Sequence, residues 1–122
     1  YIKYLKMKHI IYDNSNNDVQ IYIGNNQKEN DEIIDLCDSE DFWIHAHDKP
    51  SCHVVILFPE KNNYCKKEIL KIIKQGAVLC KTNTNSLKKD KNVKFCYTKI
   101  KNVIKTDILG KVEVSNLKFI II

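Results

Sequence analysis

The chain contains no arginine; all 20 of its basic residues are lysine. Every cation is therefore a point charge on a flexible stem, without the planar fork that reads guanine edges bidentately. Glycine is scarce, with three residues in 122, and Gly24-Asn25-Asn26 is too short to be a phosphate-cradling loop. Cys37, Cys52, Cys65, Cys80 and Cys96 are an odd number of cysteines without a CxxC pair. That spacing argues against a disulfide framework or a zinc knuckle, and for a reducing, cytoplasmic setting with the cysteines as small buried hydrophobes. No apolar run approaches the roughly 20 residues needed to span a bilayer, so no membrane partner is expected. The opening YIKYLKMKHII lacks an apolar core followed by a small-residue cleavage site, so it does not read as a secretory signal. A chain of 122 residues fits one domain with one core.

The net charge of +5 hides a division. From Asp13 to Asp48 ten acids face one base, Lys28; from Lys61 to Lys111 fourteen lysines face Glu68, Asp90 and Asp107. Two readings stay open: a solvated lysine face in a lysine- and asparagine-rich chain, or a cationic surface for a polyanion with the acidic half turned elsewhere.

The pattern centres on Asp41–Pro59, DFWIHAHDKPSCHVVILFP. In its first part Phe42, Ile44 and Ala46 alternate with Trp43, His45 and His47, the period of a strand with two unlike faces. Asp48-Lys49-Pro50-Ser51 is turn chemistry. Val54–Phe58 is apolar at every position, as in a central strand covered on both sides. Asp41, Trp43, His45, His53 and the run Val54–Ile56 resemble the signature of the NFACT-R domain family, with Ser51-Cys52 where many members carry Gly-Ser. Three further stretches are similar to that family in the same order. They are Gly24 with Asn30; Ala77, Leu79 and Lys81; and Val93, Tyr97, Thr98 and Val103 followed by Gly110 and Val112. The resemblance runs from about Met7 to the end. It implies an RNA-binding module, found inside ribosome-associated quality-control factors that engage tRNA and the large ribosomal subunit, and also in small standalone proteins.

The remaining chain reads as a mostly antiparallel α+β domain with two helices. Lys8–Asp13 and Val19–Gly24 form a hairpin; Gln27–Cys37 is a short helix, with Asn30 read as its cap. Cys65–Lys81 is the clearest helix, burying Ile69, Ile72, Ile73, Gly76, Ala77 and Cys80, with Gly76 permitting close approach to the sheet. Asn92–Ile100 is a strand whose Phe95 and Tyr97 face the core. Val112–Ser115 and Phe119–Ile122 read as a closing hairpin. Residues 7–122 are expected to be the domain and residues 1–6 an N-terminal extension.

His45, His47, Asp48, Cys52 and His53 cluster around one turn, as a Cys/His nucleophile or a metal site would require. His47 falls where the family that the chain resembles is variable; without it His45 and His53 are too few ligands, and Cys52 has no obvious third catalytic partner, so no enzyme, cofactor or metal is expected. Asp31-Glu32 and Glu40-Asp41 are read as surface charges. Nucleic acid fits better. Lys67, Lys71, Lys74 and Lys81 form a helix stripe, Lys88, Lys89 and Lys91 a loop, and Lys94, Lys99 and Lys101 the next strand. Each is a candidate phosphate contact, and binding through them weakens with salt. Trp43, His45 and His53 complete the candidate RNA-binding set, through stacking or ligand contact, with a buried structural role for Trp43 as the competing reading. The expected partner is RNA, tRNA or rRNA, with the ribosome beyond it. The alternative is a protein-interaction module docking a basic ribosomal protein on Asp31–Asp41. The oligomeric state is not legible.

Overall fold

The computed structural model describes residues 8–14, 17–59 and 64–122. The expected extension at 1–6 and parts of the loops at 15–16 and 60–63 lie outside the described residues. Among those described, the chain runs β1 (Lys8–Asn14), β2 (Asn17–Gly24), α1 (Gln27–Asp35), β3 (Phe42–Ala46), β4 (His53–Leu57), α2 (Lys66–Thr82), β5 (Lys94–Lys99), a 3-10 turn (Ile100–Asn102), β6 (Val103–Lys105), β7 (Val112–Val114) and β8 (Lys118–Ile121). β1, β2, β4, β3, β5 and β8, in that order, form one antiparallel sheet, and β6 and β7 form a separate ribbon. The α+β class with two helices is as the sequence implies.

The continuous apolar run does become a central strand. Val54 and Ile56 of β4 pack beneath α2, Val55 packs on the opposite face, and all three are fully buried. The turn before it bends at Asp48, which adopts φ 58°, and Ser51 Oγ accepts from the Ala46 N–H at 3.0 Å. Asp41 ties the two ends of the hairpin together. One carboxylate oxygen accepts from the Asp38 N–H at 2.7 Å and the other from the Phe58 N–H at 3.0 Å. Burial raises its pKa in spite of both hydrogen bonds.

α2 lies across one face of the sheet. A Cβ on Gly76 would stand 2.7 Å from Ile44 Cδ1 and 2.9 Å from Ile56 Cδ1, so the close approach expected at this residue is real. α1 and the β6–β7 ribbon cover the other face over Trp43, Val55 and Cys96.

Two local expectations need correction. β7 pairs with β6 and β8 with β5, so the closing hairpin does not form. Pairing β7 with β6 puts Val103, Val112 and Val114 over the Trp43 cluster, which a terminal hairpin would leave open to water. Asn116, at φ 54°, redirects the chain between β7 and β8, and Thr98 Oγ1 donates to the Ser115 carbonyl at 2.9 Å. The cap of α1 is Asn26, whose Oδ1 accepts from the Glu29 N–H at 2.8 Å, while Glu29 Oε1 accepts from the Asn25 N–H at 3.0 Å. Asn30 sits inside the helix, with Oδ1 against the position a Gly24 Cβ would take. Finally, the basic loop after α2 is anchored by a buried Leu87.

Candidate nucleic-acid interface

The face opposite α2 carries the side chains that alternate outward from β3. Trp43 Nε1 donates to His53 Nδ1 at 3.2 Å. An indole nitrogen only donates, so neutral His53 holds its proton on Nε2. His45 Nδ1 lies 2.6 Å from the Ala46 carbonyl. A carbonyl only accepts, so His45 is protonated on Nδ1 and its Nε2 keeps a lone pair. The Trp43 ring stacks parallel on His45 with centroids 5.6 Å apart, and the two imidazoles meet edge to face at 4.8 Å. Burial lowers the pKa of both imidazoles. That of His53 falls to about 3, with His45 as a second cause, so both are neutral at pH 7.

Trp43 is 3% exposed and His53 7%. Neither offers an open ring face, so of the two readings left open for Trp43 the structure favours the buried one over direct stacking. Both instead fix the half-buried His45. Gly24 pairs with His53 across β2 and β4, and Asn30 packs under Gly24 with a buried Oδ1 that finds no partner among the described residues. Residues from separate stretches, Gly24, Asn30, Trp43, His45 and His53, thus converge. Cys52 belongs to the core under α2, its Sγ 3.6 Å from Cys80 Sγ, so the sheet separates it from His53. The Cys/His nucleophile considered from sequence is not assembled.

The lysines form a second group. Glu68 Oε1 accepts from the Cys65 N–H at 3.3 Å at the start of α2. Lys67, Lys71 and Lys74 are exposed on the side away from the buried Ile72, Ile73, Gly76, Ala77 and Cys80. Lys67, Lys74 and Lys81 are seven residues apart and share one row. Lys81 Nζ donates to the Ile122 carbonyl at 3.1 Å, which brings that row to the end of β8. Lys88, Lys89 and Lys91 are exposed on the turn that follows. Lys99 and Lys101 differ: both bind Glu40, at 2.6 and 3.1 Å, and these hydrogen bonds hold the Glu40 carboxyl below its ordinary range.

One ring escaped the sequence reading. Phe119 on β8 is 44% exposed, with Lys94 Nζ 4.3 Å over its centroid and His47 edge-on at 4.9 Å. Its position follows from the pairing of β8 with β5, which sets Phe119 opposite Cys96 and which local pattern does not reveal. The acidic half is partly spoken for: Lys105 reaches Asp31 at 3.0 Å and Asp35 at 2.8 Å.

No described helix is long and apolar enough to cross a membrane. The model of the family described as "NFACT protein RNA binding domain" matches residues 7–115. No curated protein matches. Among solved structures, the C-terminal part of the fibronectin/fibrinogen-binding protein from Streptococcus suis superposes with a TM-score of 0.74 at 22% identity. That match covers 95% of this chain and 44% of the other, so the present chain spans less than half of it, and at that identity what the two share is the fold.

Proposed function

The chain belongs to the NFACT RNA-binding domain family, and on that premise we propose that it is a non-catalytic module that binds structured RNA, tRNA or rRNA, in cytoplasmic translation or ribosome-associated quality control. The observation that carries this reading is the set of exposed lysines on α2, Lys67, Lys71 and Lys74, continued by Lys88, Lys89 and Lys91 on the following turn. Lysines at this density neutralise phosphates and release counterions. The lack of arginine favours recognition of backbone and shape over base edges. Lys67, Lys71, Lys74, Lys81, Lys88, Lys89 and Lys94 contact phosphate. Lys99 and Lys101 join by exchanging Glu40, since such an exposed pair holds weakly. Phe119 provides the exposed ring and His45 a neutral acceptor, with Trp43 and His53 acting through His45.

The test is binding of bulk tRNA at two salt concentrations beside a Lys67→Glu/Lys71→Glu/Lys74→Glu variant. We expect affinity that falls steeply with salt and at least a tenfold loss in the variant. No binding at low salt by the folded protein overturns the reading. Docking of a basic protein through Asp31–Asp41 is less well supported, because Lys105 already holds Asp31 and Asp35.

A further inference from the structure

Between the first turns of α2 and the β5–β8 edge runs a groove of about 580 Å³. Its apolar floor includes Phe42, Leu70 and Tyr97, and its lips carry Lys66 from α2, Lys99 from β5 and Lys118 from β8. No acidic residue lines it among the described residues; Glu40 reaches Lys99 from outside, at 2.6 Å. Asn102 and Asn116 add amide groups to one wall, held in place by Asn116 Nδ2 donating to Asn102 Oδ1 at 3.2 Å and Asn102 Nδ2 donating to Thr98 Oγ1 at 3.0 Å. The volume falls within the ~300–1,000 Å³ common for small-molecule sites.

Three features define the occupant. The floor asks for a flat apolar body, the amides for a hydrogen-bonding edge, and the lips for negative charge. The groove also lies at one end of the lysine row. Lys66 opens α2, a helix of 17 residues or about 25 Å, and Lys81 near its other end reaches the end of β8. A polyanion lying along that row reaches the groove at the row's start.

We propose that this groove receives one unpaired nucleotide of the bound RNA, its base over Phe42, Leu70 and Tyr97 and its phosphate between Lys66 and Lys118. The inference rests on the RNA-binding reading and adds a requirement that reading does not have: the preferred RNA carries a single-stranded nucleotide beside its paired region. The lysine row alone does not distinguish a blunt hairpin from one with an overhang. The groove does.

The experiment compares the full chain's affinity for one RNA hairpin, blunt or with a three-nucleotide overhang, by fluorescence anisotropy. The overhang is expected to tighten binding about tenfold. Leu70→Glu puts a carboxylate into the groove at a residue that is 37% exposed, so the fold survives; this variant should bind both RNAs alike. Lys118→Ala should reduce the preference as well, and it decides the matter if Leu70→Glu fails to fold. Lys71→Glu, on the row but outside the groove, should weaken both RNAs by the same factor and keep their ratio. Equal binding of the two RNAs by the unmodified chain, or a full preference in both groove variants, overturns the groove and leaves the RNA-binding reading intact. Failure of the folded chain to bind either RNA at low salt overturns both.

Discussion

Towards α2 the sheet presents Ile21, Ile44, Val54, Ile56 and Phe95, none more than 1% exposed. Towards α1 and the β6–β7 ribbon it presents Trp43, His53, Cys96 and Thr98, each slightly accessible and three of them bearing a ring N–H, a ring nitrogen or a hydroxyl in a hydrogen bond. The centre of the first face is held by area and fit, where apolar groups lose nothing by losing water, and polar contacts such as Cys52 Sγ to the Cys80 carbonyl at 3.3 Å lie at its margin. The second keeps polar groups and must therefore satisfy each one internally. One face makes the fold rigid, and the other can hold functional side chains in fixed orientations because its opposite side does not yield.

The largest effect that would sharpen this contrast is on the α2 face. Gly76→Leu should cost about 3 kcal/mol, because the helix must lift from Ile44 and Ile56; a melting curve unchanged from the parent would mean that the face is not tightly packed. Next comes acid sensitivity of the other face. The pKa of His53 is lowered from its ordinary 6.5 to about 3, so the unfolded chain binds a proton there that the folded chain refuses. Stability from His53 is thus fully present above pH 6.5 and drains away as the pH falls towards 3, by about 2 kcal/mol between pH 7 and pH 5. His45, lowered in the same direction by burial, adds to the loss. His53→Asn keeps an acceptor for the indole and removes the titration. Its stability should depend less on pH over that interval, and the difference from the parent isolates His53 from Asp41, whose raised pKa acts in the opposite sense.

A smaller change is expected from Trp43→Phe, which preserves a ring but leaves His53 Nδ1 without its donor; denaturant titration should register about 1.5 kcal/mol. The smallest belongs to the surface. Lys105 is partly exposed and its pKa is raised: burial opposes the shift, but the hydrogen bonds and charges of Asp35 and Asp31 outweigh it. Lys105→Met should cost about 0.5 kcal/mol, less in high salt, and a loss several times larger would mean that the clamp between α1 and β6 is a structural pillar.

Much of the α2 face was legible in the chain. A run such as Val54–Leu57 needs cover on both sides, and the three- and four-residue steps of Ile69, Ile72, Ile73 and Ala77 define one helix stripe whatever it meets. The other face was less so. Alternation assigns Trp43, His45 and His47 to one side of a strand but does not say what lies over that side. The answer depends on β6 and β7, more than fifty residues later, and on a turn at Asn116 that no strong local signal announced. Hence local pattern leaves open whether Trp43 is buried or exposed, gives no sign that Phe119 is exposed, and cannot show the groove at α2, which exists only once β8 lies beside β5. Lys99 and Lys101 look like the other lysines in sequence, because a salt bridge to Glu40, about sixty residues earlier, leaves no trace in local pattern.

The two imidazoles also act as a built-in gauge. With His45 protonated on Nδ1 and His53 on Nε2, a nitrogen-15 spectrum of the rings should show two neutral histidines of opposite type in one chain. Any event that loosens the cover of β6 and β7, such as a bound partner, a mutation or mild denaturant, should let the tautomers mix before the α2 face melts. The condition of this surface can thus be followed in the intact protein without labelling the ligand or knowing its identity.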